Sequence, residues 1–276
     1  MEKRYNAFGE DNLAVHLKAG SAMAEKEDLI STESPSINAL LGGGLRRGTT
    51  CLIEEMYGES SGISGYLGFS FIRTGINSGE NCILLLSEHT VDEYRVLPDI
   101  RQILSSAKSE QLVFIDALSS MAIEGPASVP DSKNGSVVVC ANVRYAAKFY
   151  DELRSTFISM ERPVVYIDSL SVLLAAMESD KTAWRFWVGL LPLVRQQKLT
   201  VLSSLYPQMH SSEFVESIER VSDTIIRFTS SPPLPRERQI NYIQVVKHRG
   251  GHFDNKVYPY TRQQFKFQIS HRTQLG

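Results

Sequence analysis

The sequence predicts an α/β fold: a mostly parallel central sheet flanked by helices on both faces, with antiparallel strands at its C-terminal edge. Three observations predict it. Short runs rich in Val, Ile and Leu alternate with helix-length segments, the pattern of βαβ units whose strands are buried on both faces. The pattern changes near the C-terminus, where strand-like runs follow one another with short connections. The composition, 42% hydrophobic and 22% charged over 276 residues, supplies enough apolar material for one large core.

Taken in order, residues 1–30 are polar and mixed in charge and read as an extension, leaving 31–276 as a single domain. Residues 49–53 (TTCLI) read as a buried strand and 66–76 as a helix. A second buried strand is expected at 81–87 (NCILLLS), one helix over 91–107, and a third strand at 111–117 (QLVFIDA). Ser, Pro and Gly dominate 119–138, which reads as a loop or insertion. A helix over 143–160 and a fourth strand at 163–168 (PVVYID) follow. The segment 182–197 is helical in pattern, with Pro192 expected to kink or end it. A fifth strand is expected at 199–205 (LTVLSSL), then strands at 223–228, 239–247 and 264–269. The Pro-rich 230–238 (SSPPLPRER) reads as the loop between two of these.

Several function classes are excluded or demoted at once. The formal net charge is −2, so no bulk basic field draws the chain to nucleic acid. Cys51, Cys82 and Cys140 are widely spaced within or beside apolar runs and read as small buried hydrophobes in a reducing compartment. The N-terminus has no apolar signal core and no run approaches a membrane span, so a soluble cytosolic protein is expected. His210, His248 and His252 form no metal-ligand spacing. Trp184 and Trp187, three apart on a helix, read as core packing.

Two segments carry chemistry. Residues 31–50 read STESPSINALLGGGLRRGTT, with Gly42, Gly43 and Gly44 free to take positive φ and Gly48 turning into the first strand. After that strand comes EEMYGESSGISGYLGFSFIRTG. The first of these segments resembles the start of KaiC-like and RadA-like members of the RecA superfamily, and the match extends over roughly 31–270. The resemblance implies a RecA-like fold and a phosphate loop, GxxxxGK[ST], in which backbone N–H groups, a helix N-terminus and a lysine hold phosphate. Gly58 matches the first glycine of that pattern. Ile63 stands for the second glycine, Ser64 for the lysine and Gly65 for the Mg²⁺-binding hydroxyl, so the loop reads as degenerate. Gly62 and Gly65 leave room for weak anion binding through backbone N–H groups.

Other positions follow the resemblance. Asp168, ending PVVYID, stands where Mg²⁺ is held; alternatively it caps a helix. Glu88 stands where relatives keep a water-activating glutamate, the catalytic candidate, against a plain helix-opening acid. Lys247 and Arg249 match a K-x-R-G element that reaches a neighbouring subunit's nucleotide in relatives; by alternation they share one face.

LLGGGLRRGTTCLIEE, the altered loop and TGINSGENCILLLSEH resemble the fourth subunit of the Elongator complex, most clearly over residues 31–90. That resemblance implies a non-catalytic subunit in a homo- or hetero-hexameric ring of RecA-like chains that supports tRNA wobble-uridine modification. ATP and Mg²⁺ would bind weakly or at a subunit interface. tRNA would be reached through the assembled ring, with Arg46, Arg47, Arg236 and Arg238 as the local cations. Two other readings are a KaiC-like regulator that binds nucleotide weakly and a recombinase-paralog mediator on DNA.

Overall fold

The computed structural model describes residues 28–56, 62–108, 110–122, 136–139, 142–231, 240–249, 251–263 and 266–270. A two-residue strand β1 (Leu29–Ile30) leads into α1 (Pro35–Leu40), which Ser34 caps by accepting from the Ile37 N–H. β2 (Leu45–Arg46) pairs antiparallel with β1. Between α1 and β2, Gly42, Gly43 and Gly44 all have positive φ, as the sequence requires. A Cβ on Gly44 would lie 2.5 Å from the Ile30 carbonyl oxygen, so this turn tolerates no side chain.

The parallel body follows: β3 (Thr50–Glu55), α2 (Ile63–Asn77), β4 (Cys82–Leu86), α3 (Val91–Arg95), α4 (Pro98–Ser106), β5 (Leu112–Asp116), α5 (Ala117–Ala122), β6 (Ser136–Val139), α6 (Ala146–Ile158) and β7 (Val164–Asp168). Then come α7 (Leu170–Ala175), α8 (Asp180–Gln196), β8 (Thr200–Leu205), a 3₁₀ turn (Pro207–Met209), α9 (Ser212–Val221) and β9 (Thr224–Ser230). β10 (Asn241–His248), β11 (Tyr258–Gln263) and β12 (Lys266–Ile269) end the described chain. The sheet order is β12-β11-β10-β9-β3-β8-β7-β4-β5-β6. β3 through β9 run parallel, and β10, β11 and β12 join β9 antiparallel at the edge.

Strand alternation divides the core into two layers. In β4, Cys82, Leu84 and Leu86 face the layer built with α1 to α4 and the C-terminal strands, while Ile83 and Leu85 face the layer built with α6 to α9. Both sets are buried, which is why β4 reads as an unbroken apolar run.

Five details depart from the sequence reading. The single helix expected over 91–107 is two, because Pro98 disfavours a helical Leu97 and starts α4 as its first residue. The loop expected over 119–138 is bounded by α5 on one side and contains β6 on the other. Pro192 neither ends nor interrupts α8, which runs on to Gln196. The lost backbone bond costs about 3 kcal/mol, but α8 buries Phe186, Trp187, Leu190, Leu191, Leu193 and Val194 on the sheet, each contributing about 1.5–3 kcal/mol. Trp184 is not core: it lies at the rim of that stripe, 39% exposed, whereas Trp187 is 1% exposed. β11 and α9 were not assigned from the sequence.

Cys51 and Cys82 are buried and free, as expected, and Cys140 lies outside the described residues. Most of the 230–238 loop is also outside them. Among the described residues, no helix is long and apolar enough to cross a membrane.

Candidate functional site

The carboxyl ends of β3, β4, β7 and β8 open on one cavity of about 510 Å³. This is where a doubly wound sheet places its ligands, because strand ends and helix starts converge there. Glu55 ends β3, Glu88 follows β4, Asp168 ends β7 and Tyr206 follows β8. Gly62, Ser64 and Gly65 from the start of α2 close one wall, and Tyr94, Asp99 and Arg262 stand on others.

The start of α2 is unusual. Its cap, Gly62, sits at φ 88° and has no side chain to offer the orphan N–H groups. Glu55 takes that role across the cavity: the Ser64 N–H donates to Glu55 Oε1 at 2.6 Å. The carboxyl is buried, which pushes its pKa up, while the hydrogen bonds from the start of α2 pull the other way. The position that an anion would take at this helix N-terminus therefore holds a carboxylate of the chain itself.

Asp168 is also committed. Tyr94 Oη donates to its Oδ2, and Tyr166 Oη at 3.0 Å and Ser204 Oγ at 3.2 Å donate to its Oδ1. Burial raises the pKa of both tyrosines, and the Asp168 charge beside them adds to it, so they stay protonated donors. Glu88 is half-buried, and its Oε1 is enclosed without a hydrogen-bond partner among the described residues. Burial raises its pKa first, the nearby Asp168 adds to this, and hydrogen bonds from Ser169 and Tyr206 oppose it.

The fit of ATP and Mg²⁺ can be tested on these contacts. A metal-facing carboxylate needs free lone pairs, and three hydroxyls take three of the four sites of Asp168, leaving one on Oδ2. A polyphosphate needs N–H groups and cations; the Ser64 N–H in the first turn of α2 is taken by Glu55, and Arg262 is the sole Lys or Arg among the described lining residues. Arg262 lies over the Tyr66 ring, 5.2 Å from its centroid. The described residues of the cavity do not fit a Mg²⁺–polyphosphate group. No cluster of His, Cys, Asp and Glu able to hold a metal occurs among the described residues.

Of the residues singled out from sequence, Gly62, Ser64, Gly65, Glu88 and Asp168 meet at this cavity. Gly58, Arg236 and Arg238 lie outside the described residues. Lys247 and Arg249 lie at the opposite end of the sheet, beside the start of β9. Lys247 Nζ donates to the Glu219 and Arg220 carbonyls at the end of α9, and Arg249 Nη1 pairs with Asp223 Oδ1 at 3.1 Å. Arg46 is half-buried on β2. Arg47 is not a surface cation: its side chain is 8% exposed and forms an ion pair with Glu80.

The sequence reading missed Glu55, Tyr94, Tyr166, Ser204, Tyr206 and Arg262. Only Glu55 had a local signal, since two carboxylates ending a buried strand are rare unless paired. The others converge from separate elements.

The family described as "ATPase: KaiC" matches residues 30–271. Among solved structures, the KaiC-like protein PH0186 of the hyperthermophilic archaeon Pyrococcus horikoshii OT3 superposes with a TM-score of 0.65 at 16% identity, covering 88% of this chain and 98% of that one. No curated protein matches. With its sheet order, its cavity at the carboxyl ends of the strands and a family match over nearly its whole length, this chain belongs to the KaiC ATPase family.

Proposed function

We propose that this chain is a KaiC-family subunit without ATPase activity of its own, working inside a ring of RecA-like subunits. By its resemblance to the Elongator fourth subunit, that ring would support tRNA wobble-uridine modification. The observation that carries the non-catalytic reading is the charge of the cavity: Glu55, Glu88 and Asp168 line it, with Asp99 beside them paired to Arg73, against Arg262 among the described lining residues. Bringing a phosphate oxygen to about 4 Å from one uncompensated carboxylate costs about 4 kcal/mol near a protein surface. Phosphoryl transfer takes most of its rate from the opposite arrangement, cations on the developing charge. Ser64, where relatives carry the lysine, supplies none.

The assembly part of the reading uses the other end of the sheet. Lys247 is committed to α9, but the Arg249 side chain is 58% exposed around its contact with Asp223 and can meet a neighbouring subunit. Arg46, Arg236 and Arg238 are the proposed RNA contacts, useful only when a ring aligns several copies around one pore, because a net charge of −2 gives a single chain little attraction for a polyanion. Any ATP and Mg²⁺ in such a ring would sit at a neighbour's site.

Two measurements test the reading together. Phosphate release from ATP is followed for the isolated chain and for the assembly purified from its source, and tRNA binding is followed by a salt-dependent shift assay on both. The expected result is no turnover and little RNA binding by the isolated chain, with both recovered in the assembly. Steady turnover by the isolated chain, abolished by Asp168→Asn, would refute it.

A second reading has one observation in its favour. Glu88 Oε1, enclosed and unpartnered among the described residues, stands beside Asp168 at the cavity. A weak nucleotide-binding regulator would use it, and saturable ATP binding without turnover would favour that reading.

A further inference from the structure

We infer that Glu55 is the residue that closes the anion seat of this fold: an intramolecular carboxylate built in where a phosphate would bind, so that the pocket refuses phosphate because of this side chain as well as the missing lysine. The inference rests on the non-catalytic reading above and names the residue that enforces it.

The geometry is specific. α2 is a full-length helix whose first N–H groups aim into the cavity, and a helix N-terminus of this kind favours an anion. Gly62 caps it without a side chain. An anion does sit there: Glu55 Oε1 receives the Ser64 N–H at 2.6 Å, the short distance of a charge-assisted bond. Glu55 is 7% exposed, and burying a carboxylate is costly unless it is hydrogen-bonded, so the contact stabilises both partners. The next residue in the chain, Met56, is fixed too, its N–H donating to the Phe228 carbonyl at 2.9 Å. The backbone of Glu55 is thus fixed at the rim of the sheet beside β9, and its carboxylate reaches the start of α2 from that base.

Tyr94 completes the closure on the metal side. It reaches over from α3, whose start is locked by a capping box between Thr90 and Glu93, and donates to Asp168. Its ring packs edge-on against Phe69 of α2, with centroids 5.4 Å apart. The Glu55 carboxylate thus takes the Ser64 N–H and the Tyr94 hydroxyl takes Asp168 Oδ2, the two groups that a phosphate and a metal would need.

The test uses the full chain with inorganic pyrophosphate, which has no base or sugar to bind elsewhere, measured by calorimetry on wild type, Glu55→Gln and Glu55→Ala. Glu55→Ala frees the Ser64 N–H and removes a negative charge, so pyrophosphate affinity should rise about tenfold or more. Glu55→Gln removes the charge but keeps an acceptor at the seat, and should gain less. If the alanine variant does not fold, the isosteric glutamine variant carries the test. Amide exchange at Ser64 adds an independent readout: the wild-type amide should be protected, should exchange faster in Glu55→Ala, and should change less in Glu55→Gln, whose amide oxygen still accepts. Folded variants with no gain in pyrophosphate affinity, or a wild-type Ser64 amide that exchanges unprotected, would overturn the assignment of Glu55 and leave the non-catalytic reading standing on the missing lysine. Wild-type turnover of ATP, by contrast, would overturn that reading itself.

Discussion

The two ends of the central sheet both bury carboxylates and treat them in opposite ways. At the amino end of the parallel strands, Asp223 accepts from the Thr50 N–H at 3.1 Å and from Thr50 Oγ1 at 3.3 Å, pairs with Arg249 at 3.1 Å, and has Arg195 at 3.7 Å. At the carboxyl end, Glu55, Glu88 and Asp168 crowd one cavity, and their partners are almost all neutral: a backbone N–H, hydroxyls of tyrosine and serine. The amino end is a finished structural joint that ties β3 to β9. The carboxyl end keeps the shape of a ligand site with its polar capacity turned inward. A shared fold therefore fixes where a site lies and leaves its chemistry to a few side chains.

Substitution of the two aspartates should break this symmetry most clearly. Asp223→Ala leaves the buried Thr50 N–H and hydroxyl without an acceptor and should cost about 3 kcal/mol, read as a shift in denaturant midpoint. In Asp168→Ala the Tyr94 hydroxyl can turn to the cavity it lines and Ser204 Oγ keeps the Ile167 carbonyl, so only the buried Tyr166 hydroxyl loses its acceptor, and the cost should be about half as much. Equal costs would mean that both ends are structural joints of one kind.

Gly68→Ala probes the cavity end from behind. A Cβ on Gly68 would lie 2.1 Å from Tyr166 Cζ, and Tyr166 cannot retreat without releasing Asp168. A loss of about 2 kcal/mol is expected, with faster hydrogen exchange along α2. A neutral Gly68→Ala would show that the tyrosine is mobile and that Asp168 is not firmly held.

Glu54 sharpens the comparison one residue from Glu55, on the opposite face of β3. It is fully buried, its Oε2 takes Arg227 Nε at 2.7 Å, and its Oε1 has no hydrogen-bond partner among the described residues. Burial, then the neighbouring Glu219, raises its pKa to about 7, against the pull of Arg227. The folded chain thus holds a proton that the unfolded chain releases between its ordinary carboxylate pKa and about 7. Stability from this group is present in full below the ordinary carboxylate range and is lost as pH rises through about 7. Melting followed from about pH 8 to about pH 6 should show wild type gaining stability relative to Glu54→Gln. Parallel curves would mean that Glu54 does not change its protonation between about pH 6 and about pH 8.

The smallest expected effect on the isolated chain is that of Arg249→Ala. Its contact with Asp223 is exposed on the arginine side, so the melting temperature should barely move. Assembly, followed by native mass spectrometry with its partner subunits, should weaken. Normal assembly would assign Arg249 to the Asp223 joint alone.

Much of the fold was legible because strands buried on both faces are mostly apolar, as 82–86 and 164–167 are without a polar residue, while 199–205 keeps enough Leu and Val around Thr200, Ser203 and Ser204 to show the same pattern. Two elements hid for identifiable reasons. Pro259 spoils the strand pattern of β11, and the apolar face of α9 is only Phe214, Val215 and Ile218 behind the Ser211 cap, a stripe three residues long among serines and charges. At the site, glycines and acids at strand ends were legible, since their positions follow from a motif. The contacts that decide the chemistry were not, because Glu55 to Ser64, Tyr94 to Asp168 and Ser204 to Asp168 join residues from separate elements. Arg47 shows the converse: its charge was legible, but its burial against Glu80 depends on the packed tertiary structure.

The most direct test of a KaiC-family cavity closed to phosphate is calorimetric titration of the wild-type chain with ATP and Mg²⁺. The expected result is no saturable heat at millimolar nucleotide, with the chain folded throughout. Micromolar, Mg²⁺-dependent binding that Asp168→Asn abolishes would contradict it, because it would require Asp168 to exchange its tyrosine and serine partners for a metal and Glu55 to yield its place to a phosphate.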